Sequence, residues 1–101
     1  MNNISFSIDA LNDLEKITYY IEEELHNHIS GKKIVTKIIK SIKALKDFPN
    51  RGKPLKNVVK MNTDYKYIVC GNYYIFYTVE IDNIKIIRII HCNRNYIEIL
   101  F

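Results

Sequence analysis

The chain contains little cysteine and no long apolar segment. Its 101 residues include two cysteines, Cys70 and Cys92, which are too few for a disulfide framework and typical of free thiols in a reducing compartment. No apolar run approaches the roughly 20 residues that a membrane-spanning helix needs, and the polar N-terminus does not resemble a signal peptide. We therefore expect a cytoplasmic protein that makes no contact with a membrane.

The sequence also lacks the short motifs of several enzyme classes. It contains no glycine-rich phosphate loop, no Gly-x-Ser-x-Gly and no Cys-x-x-Cys, so nucleotide hydrolysis and serine or cysteine nucleophile chemistry have no support. His26 and His28 are two positions apart and do not share a helix face, and no cysteine or carboxylate stands at metal-ligand spacing from them. These absences predict a protein without a metal or another cofactor.

Charge is distributed unevenly along what we expect to be one domain, residues 1–101. The net charge is +4, but residues 1–31 have a balance of −5 and residues 32–66 a balance of +9. A basic surface of this kind attracts a polyanion or an acidic protein. A solvated, lysine-rich helix face is the alternative interpretation. The candidates for contact with a partner or a nucleic acid are Lys33, Lys37, Lys40, Arg51, Lys53 and Lys56.

Apolar periodicity predicts an α+β fold in which one strand precedes two helices. Residues 4–8 alternate between apolar residues and serines, which is typical of a strand with one buried face. A helix follows, and Asp9 would cap it. Its apolar stripe consists of Leu11, Leu14, Ile17, Ile21 and Leu25. After a break at residues 26–31, a second amphipathic helix runs until shortly before Pro49.

The sequence pattern of the last third of the chain predicts a three-stranded antiparallel meander. Turn signals at residues 71–72 and 82–83 separate three runs that are rich in Ile, Val, Tyr and Phe. We expect the helices to cover the aliphatic face of this sheet, and the opposite face, with tyrosines and cations, to stay free. Strict alternation would place on one face of the last strand Ile84, Ile86, Arg88 and Ile90. A polar tail at residues 91–96 then follows at the end of the sheet, where a rigid scaffold would present it to solvent.

With this order of elements, the chain resembles the RelE/ParE family of toxins from bacterial type II toxin–antitoxin systems. The most specific features are Phe48-Pro49 followed by Gly52, and a final His-x-x-Arg-x-Tyr at residues 91–96. Weaker matches extend over nearly the whole length, at residues 10–14, 19–21, 42–45, 65–66, 72–73, 75–77 and 87–91. The resemblance implies a strand and a helical hairpin packed on a small antiparallel sheet, in the order β-α-α-β-β-β.

The resemblance also implies a growth-arresting activity of one of two kinds. RelE-like members cut messenger RNA on the ribosome, where a base activates the 2′-hydroxyl, a cation stabilises the phosphorane and an acid protonates the leaving oxygen. ParE-like members inhibit DNA gyrase by protein contact. In both cases the partner would be a cognate antitoxin, whose disordered and often acidic segment folds on the toxin.

The family's nuclease residues carry over only in part. The matching set would be Lys66, Arg88, His91, Arg94 and Tyr96. The chain departs from the pattern at Ile68, where a second lysine can stand, and at Tyr74, where an arginine is common; tyrosine cannot replace the charge of arginine. Structural roles are also open for two members of the set, because His91 ends a buried strand and Arg88 could pair with an acid from a helix.

Three functional hypotheses follow from the sequence. The first is ParE-like inhibition of DNA gyrase, which the residues at positions 68 and 74 favour. The second is a RelE-like, ribosome-dependent endoribonuclease that uses the matching set. The third is a non-enzymatic module that binds RNA or DNA, since a small basic domain with tyrosines fits that description too.

Overall fold

The computed structural model describes residues 2–24 and 28–101, apart from the side chains at positions 22, 24 and 28–30. The strands are β1 (Asn3–Phe6), β2 (Lys53–Pro54), β3 (Lys66–Cys70), β4 (Tyr73–Glu80) and β5 (Asn83–His91). The helices are α1 (Ile8–Tyr19), α2 (His28–Ala44), α3 (Lys56–Val59) and α4 (Tyr96–Leu100), and a π-helical turn (Tyr20–Glu24) extends α1. The predicted break falls partly on residues 25–27, outside the described chain, while residues 30–31 lie within α2.

One five-stranded sheet has the order β1-β5-β4-β3-β2. The predicted α+β class and the order β-α-α-β-β-β are confirmed, with the short elements β2, α3 and α4 added to it. The sheet is mixed rather than wholly antiparallel, because β1 pairs with β5 in parallel while the other neighbours are antiparallel. Since β4 occupies one edge of β5, only the other edge was open to β1.

The helices bury one face of the sheet, as expected. Ile17 and Ile21 from the first helical segment and Ile38 and Ile42 from α2 form a core with the strand residues Ile75, Tyr77, Ile84, Ile86 and Ile89. The buried stripe of α1 is rotated from the prediction, because Leu11 is 52% exposed while Asp13 is buried. The cap also differs: Ser7 Oγ accepts the Ala10 amide hydrogen at 2.9 Å, and Asp9 lies within the first turn.

A β-bulge in β5 overturns the predicted alternation of its side chains. Phe76 pairs with Arg88 and Tyr77 pairs with Ile86, so Ile87 is the extra residue. Beyond the bulge, Ile89 joins Ile84 and Ile86 in the core beneath the helices, whereas Ile90 packs on the opposite face. The prediction that Ile84, Ile86, Arg88 and Ile90 share one face was therefore wrong, because a bulge reverses the phase of a strand without a sequence signal of its own.

The sheet face opposite α1 and α2 is aromatic and partly covered by other residues, which corrects the expectation that this face stays free and carries cations. Phe76, Leu55 and Ile90 are buried there, beneath residues of α3, α4 and the tyrosines. Tyr96 lies against both Phe76 and Tyr74, with ring centroids 5.3 and 5.2 Å apart. The C-terminal helix α4 thus closes a second, smaller core on this face.

The loop after α2 is attached to the sheet by a tyrosine hydroxyl. Tyr77 Oη accepts the Gly52 amide hydrogen at 2.9 Å and donates to the Pro49 carbonyl at 3.0 Å. A Cβ atom at Gly52 would overlap Tyr77 Oη and approach the Tyr67 carbonyl oxygen to 2.7 Å. The Phe48-Pro49…Gly52 pattern thus has a packing reason, because the backbone passes too close to the sheet for a side chain at position 52.

Candidate functional site

Arg88 is held in place by a carboxylate from α1. Its Nε and Nη2 atoms donate to the two oxygens of Asp13 at 2.8 and 2.9 Å. This two-point bond is the leading cause that raises the pKa of Arg88 above its ordinary value, and partial burial opposes it. The pairing of Arg88 with a helix acid, foreseen as its structural role, is what the structure contains.

Asp13 also takes the place of a neighbouring strand. β1 pairs with β5 only as far as Ile86, so within the described part of the chain no strand lies beside the outer edge of β5 beyond that residue. The Ile89 amide donates to Asp13 Oδ2 at 2.9 Å, and Ser7 Oγ donates to the Ile87 carbonyl at 2.6 Å. Two side chains from the start of α1 therefore satisfy the backbone of this edge.

An open cleft of about 440 Å³ begins where this capping ends. Its lining comes from α1, the π-helical turn, the ends of β4 and β5 and the loop after β5, and consists of Asp13, Lys16, Ile17, Tyr20, Tyr73, Ile89, Ile90, His91, Asn93 and Arg94. Most of this lining is apolar, and Lys16 and Arg94 are exposed. The cleft thus combines an apolar floor with cations at its rim.

His91 and Arg94 from the predicted nuclease set meet in this cleft. The ring of His91 stands edge-on to Tyr73 at a centroid distance of 5.1 Å, and burial raises the pKa of Tyr73. His91 Nδ1 accepts the Asn93 amide hydrogen at 3.0 Å, which leaves Nε2 as the ring nitrogen that carries a proton in the neutral form. A histidine fixed in this way can donate a hydrogen bond from Nε2.

The other members of the set lie elsewhere. Tyr96 belongs to the aromatic face opposite the helices. Lys66 alternates with Tyr65 and Tyr67 of that face, so its side chain starts from the helix side of β3. The five residues predicted for catalysis are therefore distributed over both faces of the sheet in this structure.

The two positions that depart from the nuclease pattern are occupied by packed side chains. Ile68 is buried in the core beneath the helices. Tyr74 contacts Tyr67, Phe76 and Tyr96 with centroid distances of 5.8, 5.7 and 5.2 Å. Partial burial is the leading cause that raises the pKa of Tyr74 above 10.0, and a phenol is neutral at pH 7 with or without this shift.

The residues predicted to bind an acidic partner or a nucleic acid are all exposed. Three of them project from α2, and the other three surround the short strand β2; they are Lys33, Lys37, Lys40, Arg51, Lys53 and Lys56. Arg51 and Lys53 also line a second open cleft beside β3, together with Tyr67, Val69 and Tyr74. This surface can attract negative charge.

Sequence reasoning missed three residues of this region. Asp13, Lys16 and Tyr20 come from the first helical segment, more than 60 positions before the start of β5. The one available signal was a carboxylate within the buried stripe of α1, at i−4 from Ile17.

Among the described residues, no group of three or more His, Cys, Asp or Glu side chains could hold a metal ion. None of the described helices is long and apolar enough to span a membrane.

Comparison with known proteins gives a family and a fold. Residues 4–96 match the model of the ParE toxin of the type II toxin–antitoxin system parDE. The structure is similar to a chain of the chromosomal ParDE toxin–antitoxin system from P. aeruginosa, at 20% identity and a TM-score of 0.73, covering 90% of this chain and 96% of the other. No curated protein matches the sequence.

A second solved structure has a lower structural similarity. It is a chain of the heterotetrameric YoeB-YefM toxin–antitoxin complex from Staphylococcus aureus, with 25% identity and a TM-score of 0.57. The match covers 87% of this chain and 93% of that one.

Proposed function

The chain belongs to the ParE toxin family of type II toxin–antitoxin systems, and on that basis we propose that it arrests bacterial growth by inhibiting DNA gyrase through protein contact. Its function as a toxin follows from the family. The family match also favours the toxin over a plain RNA- or DNA-binding module. The proposal concerns the target, and it requires the protein to act in the cytoplasm, where gyrase works on DNA.

The observation that carries this proposal is the environment of Tyr74. RNA cleavage needs fixed positive charge where the phosphorane develops. At the position where RelE-like members commonly have an arginine, this chain has a neutral phenol packed between Tyr67, Phe76 and Tyr96. Arg88, the strand cation of the predicted set, is engaged by Asp13. A target bound by surface contact needs neither residue to be free.

A ribosome-dependent endoribonuclease is the second candidate, and the presence of His91 and Arg94 in one cleft favours it. Both residues line one open cleft, and the Nε2 atom of His91 is not the acceptor of the local hydrogen bond. For His91 to act as an acid or base on a phosphate through Nε2, its Nδ1 atom would have to release the Asn93 amide. In this proposal Lys66, Arg88 and Tyr96 would have to approach the RNA from other parts of the sheet.

The basic surface supplies the proposed contact with the antitoxin. Solved relatives of this fold are toxin–antitoxin complexes, which supports a cognate antitoxin as partner. We assign its electrostatic attraction to the exposed cations of α2 and of the segment around β2, Lys33, Lys37, Lys40, Arg51, Lys53 and Lys56. Affinity for the antitoxin should then fall as salt is raised, because screening weakens contacts between exposed charges.

Induction of the chain without its antitoxin separates the two targets in cells. Gyrase inhibition predicts filamentous cells and induction of the DNA-damage response, with transcripts intact. The nuclease alternative predicts rapid loss of translation and cleaved transcripts, both abolished in the double variant Arg94→Ala/Tyr96→Ala. Cleaved transcripts with the wild type and none with the double variant would replace the gyrase proposal by the nuclease.

A further inference from the structure

The outer face of α2 carries a row of lysines. Lys33, Lys37 and Lys40, which we call the lysine row, follow each other at intervals of four and three residues and so lie within an arc of about 60° on the helix surface. All three are exposed. The opposite face of the helix is buried, because Ile38 and Ile42 pack in the core against the sheet. The sheet thus holds the helix in place, and the lysine row, about 10 Å long between its end residues, is accessible to a partner.

The charge of the lysine row is not compensated within the part of the chain that the structure describes. The one ion pair among the described side chains joins Arg88 to Asp13, which belong to β5 and α1. Residues 32–46 contain six lysines and no acid, and Lys32 and Lys43 are exposed beside the row. Like charges three or four positions apart on a helix repel each other, so the row destabilises the free protein slightly. A bound polyanion would remove this repulsion.

The chemistry of this face selects among the possible polyanions. Bases are read mainly by Arg, Asn and Gln, and single strands are held by stacking on aromatic rings. The exposed positions between 32 and 43 are lysines and Thr36, and α2 contains no Phe, Tyr or Trp. Lysine binds phosphate as a point charge and reads no sequence. Because a duplex carries about one negative charge per 1.7 Å of its axis, the row faces several phosphates at once.

We propose that the lysine row of α2 binds the phosphate backbone of duplex DNA without reading its sequence. The inference rests on the proposed inhibition of gyrase and deepens it, because gyrase works on duplex DNA and the toxin would contact both the enzyme and its DNA. Release of counterions from the phosphates supplies the free energy of this contact. An antitoxin that is attracted to the same cations would compete with the DNA for them.

Binding of the purified full chain to a short, fluorescently labelled DNA duplex tests the proposal by anisotropy at several salt concentrations. For three phosphate contacts, the logarithm of the association constant should fall against the logarithm of the salt concentration with a slope of about −3 or steeper. Two duplexes of unrelated sequence should bind within about twofold of each other. No binding to either duplex at low salt, or tighter binding of single-stranded RNA than of the duplexes, would overturn the proposal.

Matched neutral substitutions locate the contact. Lys37→Gln/Lys40→Gln should weaken DNA binding about tenfold and make the slope shallower by about two, because each lysine on a phosphate contributes about one to it. Lys16→Gln/Lys85→Gln removes the same charge at exposed positions of α1 and β5 and should leave the slope within about 0.5 of the wild type. Equal changes in the two variants, both folded by thermal unfolding, would show that DNA responds to net charge and not to the row, which contradicts the proposal.

Plasmid supercoiling by gyrase separates this inference from the proposed function. The Lys37→Gln/Lys40→Gln variant should require about tenfold more toxin than the wild type for the same inhibition, in line with its weaker DNA binding. Inhibition by this variant equal to that of the wild type would overturn the role of the lysine row in the gyrase complex. A wild type that binds DNA through the row but leaves gyrase uninhibited would contradict the proposed function and leave the DNA site standing.

Discussion

The two edges of the sheet are completed by different chemistry. At the β5 edge, the charged side chain of Asp13 satisfies the backbone: it accepts the Ile89 amide hydrogen and binds Arg88 at two points. At the β3 edge, the neutral hydroxyl of Tyr77 holds the loop that leads into β2 by two hydrogen bonds, and β2 then pairs with β3. Each set of hydrogen bonds covers only part of its edge. At the β3 edge Val69 is 57% exposed, and at the β5 edge a cleft opens beyond Ile89.

The difference between the edges has an energetic consequence. Removing one member of a buried ion pair leaves an uncompensated charge, whereas removing a neutral hydroxyl leaves one or two unsatisfied dipoles. The β5 edge should therefore be the more sensitive of the two to single substitutions. Four single substitutions test that ranking.

Loss of the Asp13 carboxylate should have the largest effect. Asp13→Ala leaves Arg88 half-buried without its partner and the Ile89 amide without an acceptor, and we expect a loss of about 3–5 kcal/mol in the free energy of unfolding. Chemical denaturation of the purified variant measures it. Glu15→Ala is the matched control, because Glu15 is an exposed acid of the same helix outside its first turn, and it should cost less than about 0.5 kcal/mol. Similar losses for both variants would show that Asp13 has no special role.

A methyl group at Gly52 should disturb the β3 edge by steric overlap. In Gly52→Ala the new Cβ would overlap the Tyr77 hydroxyl and crowd the Tyr67 carbonyl, so the loop must move, at a cost of about 2–3 kcal/mol. Thermal unfolding measures the loss. Gly71→Ala is a different kind of control, because its Cβ meets nothing but its φ of +58° penalises a side chain, and we expect about 1 kcal/mol. A larger loss at position 71 than at position 52 would contradict the packing argument.

Removal of the Tyr77 hydroxyl should cost less than loss of Asp13. Tyr77→Phe deprives the Gly52 amide of its acceptor, with an expected loss of about 1–3 kcal/mol at pH 7. Burial raises the pKa of Tyr77 above 10.0, so this residue stabilises the wild type fully below the pKa of the unfolded phenol and loses that contribution as the pH rises above it. The variant lacks this loss, whereas Tyr73 and Tyr74 lower the stability of both proteins alike at high pH. The difference between the two proteins should narrow above about pH 10, as measured by denaturation at several pH values. A difference that grows there would be inconsistent with a buried neutral phenol.

Ser7→Ala should have the smallest effect of the four. Ser7 Oγ accepts the Ala10 amide hydrogen as the cap of α1 and donates to the Ile87 carbonyl, and we expect a loss of about 1 kcal/mol. Ser7→Thr keeps the hydroxyl and should recover most of the stability in the same denaturation measurement. A larger loss in the free energy of unfolding for Ser7→Ala than for Asp13→Ala would contradict the conclusion that the ion pair is the main stabiliser of the β5 edge.

The order of elements was predictable from the sequence because it depends on local signals. Apolar periodicity gave the helices, and turn residues such as Gly71 gave the meander. The bulge at Ile87 had no such signal, since an extra residue in an aliphatic run reads as ordinary alternation. The partner of Arg88 was foreseen as a helix acid, but not which one, because Asp13 and Arg88 are 75 positions apart.

The candidate site was less predictable than the fold. The terminal motif directed attention to residues 91–96, and the structure separates its members, with His91 and Arg94 in the cleft and Tyr96 on the aromatic face. A motif gives the spacing of residues along the chain, whereas a bulge and a short helix decide which side of the sheet each side chain reaches. Lys16 and Tyr20 enter the cleft from the first helical segment, and no pattern in the sequence connects them with β5.

The most direct test of the proposed function is the ATP-dependent supercoiling of relaxed plasmid by purified DNA gyrase in the presence of the purified toxin. The account predicts that supercoiling falls with toxin concentration and that naked or ribosome-bound messenger RNA stays intact at the same concentrations. Undiminished supercoiling together with cleavage of ribosome-bound messenger RNA would contradict it.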